Sequence, residues 1–393
     1  MRTVKIVDIA EQIRGVSYNP EDVFDTAQEN TVPLLRANNI QDTGLNYDDL
    51  VYVQKSKVSP KQLLRQGDIL VCASSGSRHL VGKAGHVYND FGTFGAFCKV
   101  LRPTAQLVNS KYFAHYFQSP LYRRTIANLA AGANINNIKN EHLNELQIKL
   151  PCLQEQNTIA RVLDKTNAII GKRRAQLSCL NELAKSRFIE MFGDPVTNPK
   201  GWESGTIRDI ASEVKYGTSS PATEGGKHIY LRMNNITYDG HLDLSNLKYI
   251  DLPDDQLAKY QVQKGDVLFN RTNSKELVGK TCVFKEDIPM VIAGYIIRVR
   301  VNARANPEYL SAILNSKYGK RTLLDMCKAI VGQANINAQE LQNIDILIPP
   351  ISLQNEFATF IEELDKSKFS VSRQQKMIDS CQSGIILHLT GRL

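Results

Sequence analysis

The strongest constraint on this chain is that it states one pattern twice, about 200 residues apart in a total of 393. Five landmarks recur in the same order. Ile6-Val7-Asp8-Ile9-Ala10 returns as Ile207-Arg208-Asp209-Ile210-Ala211, and Leu35-Arg36-Ala37-Asn38-Asn39-Ile40 as Leu231-Arg232-Met233-Asn234-Asn235-Ile236. Gly67-Asp68-Ile69-Leu70 with the later Leu80-Val81-Gly82-Lys83 returns as Gly265-Asp266-Val267-Leu268 with Leu277-Val278-Gly279-Lys280. Ala133-Asn134-Ile135-Asn136 matches Ala334-Asn335-Ile336-Asn337, and Leu163-Asp164-Lys165 matches Leu364-Asp365-Lys366. A period this long is no solenoid repeat. It is a duplicated domain with a duplicated connector, so the function uses two similar modules.

Each repeat reads as a mixed globular part followed by a long helix. Gln66-Gly67-Asp68-Ile69-Leu70-Val71-Cys72 and Lys264-Gly265-Asp266-Val267-Leu268-Phe269 are turns leading into apolar runs too short for helices. Val291 to Val301 reads as one or two strands, and helices are expected at 111–117 and 307–314. Strands ending at Pro151 and Pro349-Pro350 close the globular parts. Past each proline the apolar period changes from 2 to 3.5. The expected seam of the first connector runs through Ile159, Leu163, Thr166, Ile170, Arg173, Leu177, Leu180 and Ala184. Carried over at an offset of 201, the second runs through Phe360, Leu364, Ser367, Val371, Gln374, Ile378, Cys381 and Ile385. Alternating steps of four and three are coiled-coil spacing. The first helix, over about 153–192, would measure roughly 60 Å, and Gly193-Asp194-Pro195 stops it.

The expected fold class is therefore α+β, with pseudo-twofold character. Two similar mixed domains, 1–151 and 195–350, are separated by long helices within 152–194 and 351–393, which pair as an antiparallel coiled coil. Antiparallel pairing satisfies both equivalences and would make the helix pair a ruler between the domains.

The chemistry of a self-sufficient enzyme is missing from the sequence. It has no P-loop, no Asn/Asp-Pro-Pro-aromatic methyltransferase motif, no carboxylate–lysine nuclease cluster and no His pattern for a metal. Seven dispersed cysteines without a C-x-x-C pair fit a reducing cytoplasm. No apolar run is long enough to cross a membrane, and no secretory signal opens the chain. A net charge of +8 favours an acidic partner.

On these landmarks the chain resembles the specificity subunit of Type I restriction–modification systems. The resemblance also rests on Leu150-Pro151-x-Leu153-x-Glu155-Gln156-x-x-Ile159-x-x-x-Leu163-Asp164 and on Phe188-x-x-Met191-Phe192-Gly193-Asp194-Pro195, and it covers essentially the whole chain. The second connector departs from it, with Leu353-Gln354-Asn355-Glu356-Phe357 in place of the Glu-Gln pair. The resemblance implies two target recognition domains, each reading one half of a bipartite site in double-stranded DNA. It implies helices that dock two methyltransferase (modification) subunits, and a partner restriction/translocase subunit. S-adenosylmethionine, ATP and Mg belong to those partners, and the chain itself would hold no cofactor and no catalysis. Two other readings stand beside it. One is a two-headed protein scaffold that never touches DNA. The other is the specificity half of a single-chain restriction enzyme, which a first domain starting almost at Met1 disfavours.

Candidate DNA contacts fall into two groups. Ser74, Ser75, Ser77 and Arg78, with their counterparts Arg271, Thr272, Asn273, Ser274 and Lys275, follow a strand and are dense in groups that address base edges and phosphates. They differ between copies while their flanks match, as expected of loops that read different half-sites; a freely drifting surface loop is the alternative. Arg36, Asn38, Asn39, Arg232, Asn234 and Asn235 are shared, which suits phosphate clamping or backbone structure. Lys83 and Lys280 suit a phosphate contact or a solvated turn. Asn134, Asn136, Asn335 and Asn337 suit capping and turns. Lys172-Arg173-Arg174 reads as a solvated helix face.

Overall fold

A computed structural model of the chain describes residues 2–41, 44–77, 80–131, 137–274, 277–327 and 334–390. Two compact units emerge, Met1–Arg174 with Arg373–Leu393, and Ala175–Ser372. Each unit takes one globular part and a half of each long helix. The helices span Leu153–Phe192 and Ile351–Thr390.

In the first unit the central sheet runs, in spatial order, through Ala10–Arg14, Cys98–Pro103, Ile69–Cys72 and Ala84–His86, all antiparallel. The second unit repeats it with Ala211–Tyr216, Ile296–Val301, Val267–Asn270 and Thr281–Val283. All four residues of Ile69–Cys72 and of Val267–Asn270 are buried, which explains the apolar runs Ile69–Cys72 and 267–269, with Asn270 a buried polar residue at the end of the second. A second sheet in each unit contains one parallel pair: Thr93–Phe94 beside Thr31–Leu35, and Met290–Ile292 beside His228–Leu231. The run from Val291 to Val301 is thus two strands broken by a turn. Helices follow at Ser110–Phe117 and Pro307–Asn315, capped by Asn109 and Asn306. A further helix in each unit, Pro120–Ala131 and Lys317–Met326, was not foreseen from the sequence.

The landmarks turn out to be framework. Gly82 and Gly279 adopt φ of +78° and +76°, and a Cβ there would strike Ile126 or Leu323 at 2.4 Å. Only glycine meets both demands. Asp68 and Asp266 are buried, accept from the backbone N–H of Arg65 and Gln263, and pair with Arg102 and Arg300 at 2.8 Å.

At the start of each long helix one glutamine is fully buried. Gln156 Oε1 accepts from Asn109 N at 2.8 Å, while its Nε2 donates to the carbonyls of Leu107 and Pro151. Gln354 does the same with Asn306 N and the carbonyls of Arg304 and Pro349. The next residues, Asn157 and Asn355, each accept from the side-chain amide of the capping asparagine. The apparent departure of the second connector is therefore a shift in position, since the Gln-Asn pair is kept 198 residues later.

That pair corrects the second seam. Leu163 follows Gln156 by seven residues, but Leu364 follows Gln354 by ten, so the two Leu-Asp-Lys motifs are not equivalent in space. Asp164 accepts from Lys111 and bonds His115, whereas Asp365 accepts from Lys285. In the first helix Leu163 and Ile170 are buried, and Ile159, Thr166, Arg173, Leu177, Leu180 and Ala184 are half-buried, as the spacing predicts. In the second helix Leu364 and Val371 are buried, and Ile378 and Ile385 are half-buried. The alternate positions differ from expectation. Ser367, Gln374 and Cys381 are exposed, and Lys368, Gln375 and Gln382 are half-buried in their place. Phe357 is buried and Ile361 half-buried at the head of this seam, with Phe360 also half-buried and beneath the Arg187 guanidinium. A slip of three residues is one step of a three–four seam, so it preserves one residue per heptad and misplaces the other.

Within the first unit, Gln382 Nε2 donates to Asn167 Oδ1 at 2.6 Å, and Ile385 and Ile386 pack on the cluster containing Ala160 and Leu163. As one helix advances the other recedes, so the pairing is antiparallel. In the second unit Arg187 pairs with Glu356 at 3.0 Å, and Phe188 and Phe192 pack on Phe357.

Truncating either glutamine would leave one backbone N–H and two carbonyls buried without partners. The Gln354→Ala change should lower stability by about 2–3 kcal/mol, read as an earlier urea midpoint in the fluorescence of the single tryptophan, Trp202. Gln156→Ala should release the Asn109 amide to faster hydrogen exchange. Unchanged values in both would remove the glutamines from their stapling role.

Candidate nucleic-acid interface

Three segments converge at one edge of each globular part. In the first unit they are the residues after Thr31–Leu35, the loop after Ile69–Cys72, and the turn before Cys98–Pro103. The loop is pinned to the turn, because Ala73 N and Ser74 N both donate to Phe97 O, at 2.9 and 3.0 Å. The turn is pinned to the first strand by Gly95 N donating to Leu35 O at 2.9 Å. Together they line a cleft of about 420 Å³ walled by Tyr18, Arg36, Asn38, Ser74, Ser75, Gly76 and Phe97. Four residues expected from sequence to meet DNA, Arg36, Asn38, Ser74 and Ser75, thus share one cavity. Ser77 is exposed just beyond it, and its N–H donates to Ser75 Oγ.

Asp49 organises part of the wall. Its Oδ2 accepts from Asn38 Nδ2 at 2.6 Å and lies 3.4 Å from an Arg36 terminal nitrogen, while Arg36 Nε has no partner. That Nε is buried, and with the side chain 36% exposed an incoming acceptor meets the terminal nitrogens instead.

The second unit repeats the arrangement with different chemistry. Arg271 N donates to Tyr295 O at 3.0 Å, and Ala293 N to Leu231 O at 2.9 Å. The Arg271 guanidinium lies over the Tyr216 ring at 4.8 Å, with its Nε unpartnered. Stacking of this kind holds the planar fork in place while leaving its edge for hydrogen bonding. Asn273 is half-buried and Ser274 and Asn234 exposed. Arg232 reaches the Asn246 carbonyl at 3.4 Å and also has an unpartnered Nε.

Several expected contacts are instead structural. Asn39 and Asn235 are buried: each accepts from the backbone of the arginine three residues back and donates to loop carbonyls, Asn46 and Asp49 in one case, Asp243 and Asn246 in the other. They shape the arginine turn and have nothing left for DNA. Thr272 is buried against Asn335, with 3.3 Å between oxygens. Lys280 is 8% exposed and donates to Met233 O at 2.8 Å; burial holds its pKa below the usual lysine range. Beside it Lys320 donates to Gly279 O, its pKa pushed down to about 8 by burial and then by the neighbouring Lys280 charge. Lys83 is half-buried. Arg78 and Lys275 lie outside the described residues, as do Asn134 and Asn136.

The asparagine segment meets the loop after the strand. Ser74 bridges Asn137, with Ile138 N donating to Ala73 O at 2.6 Å; Thr272 pairs with Asn335, with Ile336 N donating to Arg271 O at 2.9 Å. The structural counterpart of Asn335 is therefore Asn137, three residues after the sequence match at Asn134. Asn337 caps the helix Ala338–Gln342. Sequence reasoning passed over Tyr18, Tyr216, Phe97 and Tyr295. For the last two a signal existed, an aromatic residue just before the strand in both copies.

The comparisons agree with this geometry. The profile of the Type I restriction modification DNA specificity domain matches residues 1–178 and again 199–377. The chain is 32% identical over 379 residues to the Type I restriction enzyme EcoKI specificity subunit of Escherichia coli (strain K12), covering 92% of this chain and 81% of that one. It is 30% identical over 388 residues to the StySPI specificity subunit of Salmonella potsdam, covering 95% and 83%. In fold it is similar to the crystal structure of a Type I restriction–modification S subunit from M. genitalium, with a TM-score of 0.62 at 14% identity, covering 100% of this chain and 96% of the other. Two domains of one architecture and two matches to one profile lead to one assignment: the chain belongs to the Type I restriction–modification DNA specificity family.

Proposed function

We propose that the chain is the sequence-reading subunit of a Type I restriction–modification complex, with each domain addressing one half of a bipartite DNA site. The observation that carries this is the contrast inside the duplicated edge. The framework is shared, namely the left-handed glycine, the Asp–Arg pair and the buried asparagine. The groups facing outward differ, with Ser74, Ser75 and Ser77 in one copy and Arg271, Asn273 and Ser274 in the other. Serine hydroxyls and an arginine fork address different base edges and phosphates. Arg36 and Arg232, shared and half-buried at the same place in each unit, suit the common task of holding the backbone.

The long helices serve as spacer and as docking surface for two methyltransferase subunits. Val162, Ile169, Leu183 and Ile189 on the first, and Phe369 and Met377 on the second, are large apolar side chains 42–70% exposed. Side chains of this kind on long helices are suited to partner subunits. Chemistry, with S-adenosylmethionine, ATP and Mg, resides in those partners and in a restriction/translocase subunit, and the complex works in the cytoplasm. Among the described residues no group of His, Cys, Asp and Glu could hold a metal, and no helix is long and apolar enough to cross a membrane.

Replacing residues 71–82 with 269–279 should change the first half-site and leave the second intact, read by sequencing methylated adenines in cells that also express the cognate methyltransferase. An unchanged motif would take recognition away from this loop. Inserting one heptad at spatially equivalent points of both helices, 198 residues apart, should lengthen the tolerated spacer by about three base pairs, since ~10.5 Å of helix matches ~3 steps of 3.4 Å. A spacer that stays the same would end the ruler reading. For the assembled complex, log K should fall linearly with log salt, at about −0.9 per phosphate neutralised; a flat response would favour a protein scaffold.

A further inference from the structure

Phe97 and Tyr295 occupy the same place in the two units and are 65% and 54% exposed. A lone exposed aromatic side chain needs no explanation. These two are neither lone nor loosely held. Each sits at the tip of a tight turn, with Cys98 N donating to Gly95 O and Ile296 N to Ala293 O, both at 2.8 Å. The carbonyl of each aromatic residue is the acceptor that anchors the reading loop, so ring and loop move as one piece. Phe97 walls the same cleft as Arg36, Asn38, Ser74 and Ser75. The side chains of Arg36, Asn38, Ser74 and Ser75 can make hydrogen bonds; this ring offers them an apolar neighbour. In a DNA groove the base feature that rewards an apolar group beside polar readers is the thymine C5-methyl.

We propose that Phe97 and Tyr295 are specificity-determining residues, each placing its ring against a base of its own half-site, and that Phe97 reads a thymine methyl. The inference rests on the DNA-reading function proposed above and deepens it. The difference between the two tips fits their two targets. Phenylalanine offers an apolar surface alone, while the tyrosine hydroxyl adds a donor and an acceptor, so Tyr295 also accepts partners at a base edge.

The test uses the chain assembled with its cognate methyltransferase subunits and duplexes carrying its bipartite site. Each thymine of the first half-site is replaced in turn by deoxyuridine, which removes only the methyl. One replacement should weaken the wild-type complex by about tenfold. Phe97→Ala should weaken binding to the unmodified duplex by a similar factor and be insensitive to that replacement. Phe97→Tyr, which keeps the ring, should retain the sensitivity, and Tyr295→Ala should leave the first half-site response unchanged. The proposal is overturned if Phe97→Ala binds within twofold of wild type, if it keeps the deoxyuridine penalty, or if the first half-site holds no thymine. It is also overturned if Phe97→Ala loses the methyltransferase subunits on purification, which would make the ring a protein contact. A wild-type complex without preference for any bipartite site would instead sink the underlying functional reading.

Discussion

One buried glutamine per unit sets the geometry of everything attached to it. Gln156 and Gln354 each satisfy a backbone N–H and two carbonyls at the point where a globular part becomes a helix. Three hydrogen bonds from one fully buried side chain leave the helix start no rotational freedom, because any rotation would orphan polar groups away from water. The angular phase of the helix, and with it the face that becomes the seam, is decided there. The shift of the second seam to Lys368, Gln375 and Gln382 follows from this tie and from nothing in the heptad pattern itself.

The same logic separates the two kinds of repetition in the chain. What recurs letter for letter is what the backbone cannot do without: glycine at positive φ against a helix, aspartate capping a turn while pairing with arginine, asparagine filling a buried turn. What recurs only in position lies at the loop edge, Ser75 against Asn273, Phe97 against Tyr295. Even inside the framework the copies have diverged where packing allows. Val100 in the first central sheet is replaced by Arg298, fully buried and bonded to Glu213 and to the Gln261 carbonyl, close to Asp266. A buried guanidinium survives only with such a shell of acceptors.

The fold class, the duplication and the long helices were legible because period and spacing are local properties. The apolar run Ile69–Cys72 and the seam of the first helix were read correctly for that reason. Two matches by letter were wrong by three residues in space, Asn134 to Asn335 and Leu163 to Leu364. Similar short motifs can stand at different steps of the same periodic element, and only a tertiary tie tells which step is meant. In the candidate site, exposed and buried polar residues look alike in sequence. Asn38 and Asn39 are adjacent and identical, yet one lines the cleft and the other is sealed beneath it. The aromatic tips were passed over because a ring beside a strand reads as core, and only the turn geometry brings it to the surface.

The polar seam positions have a role that the duplication makes visible. Two helices with nearly the same three–four spacing can pair in registers one heptad apart with little change in apolar burial, so apolar contacts alone specify the register poorly. Thr166, Arg173, Lys368, Gln375 and Gln382 interrupt both seams. Gln382 finds Asn167, and Lys368 faces Asp365 with Asp239 nearby, burial nonetheless holding its pKa below the usual lysine range. A shift by one heptad would carry Gln382 about 10 Å from Asn167 and break the side-chain hydrogen bond that ties these polar positions across the helices. The seam is thereby weaker than an all-leucine zipper and more exact in register.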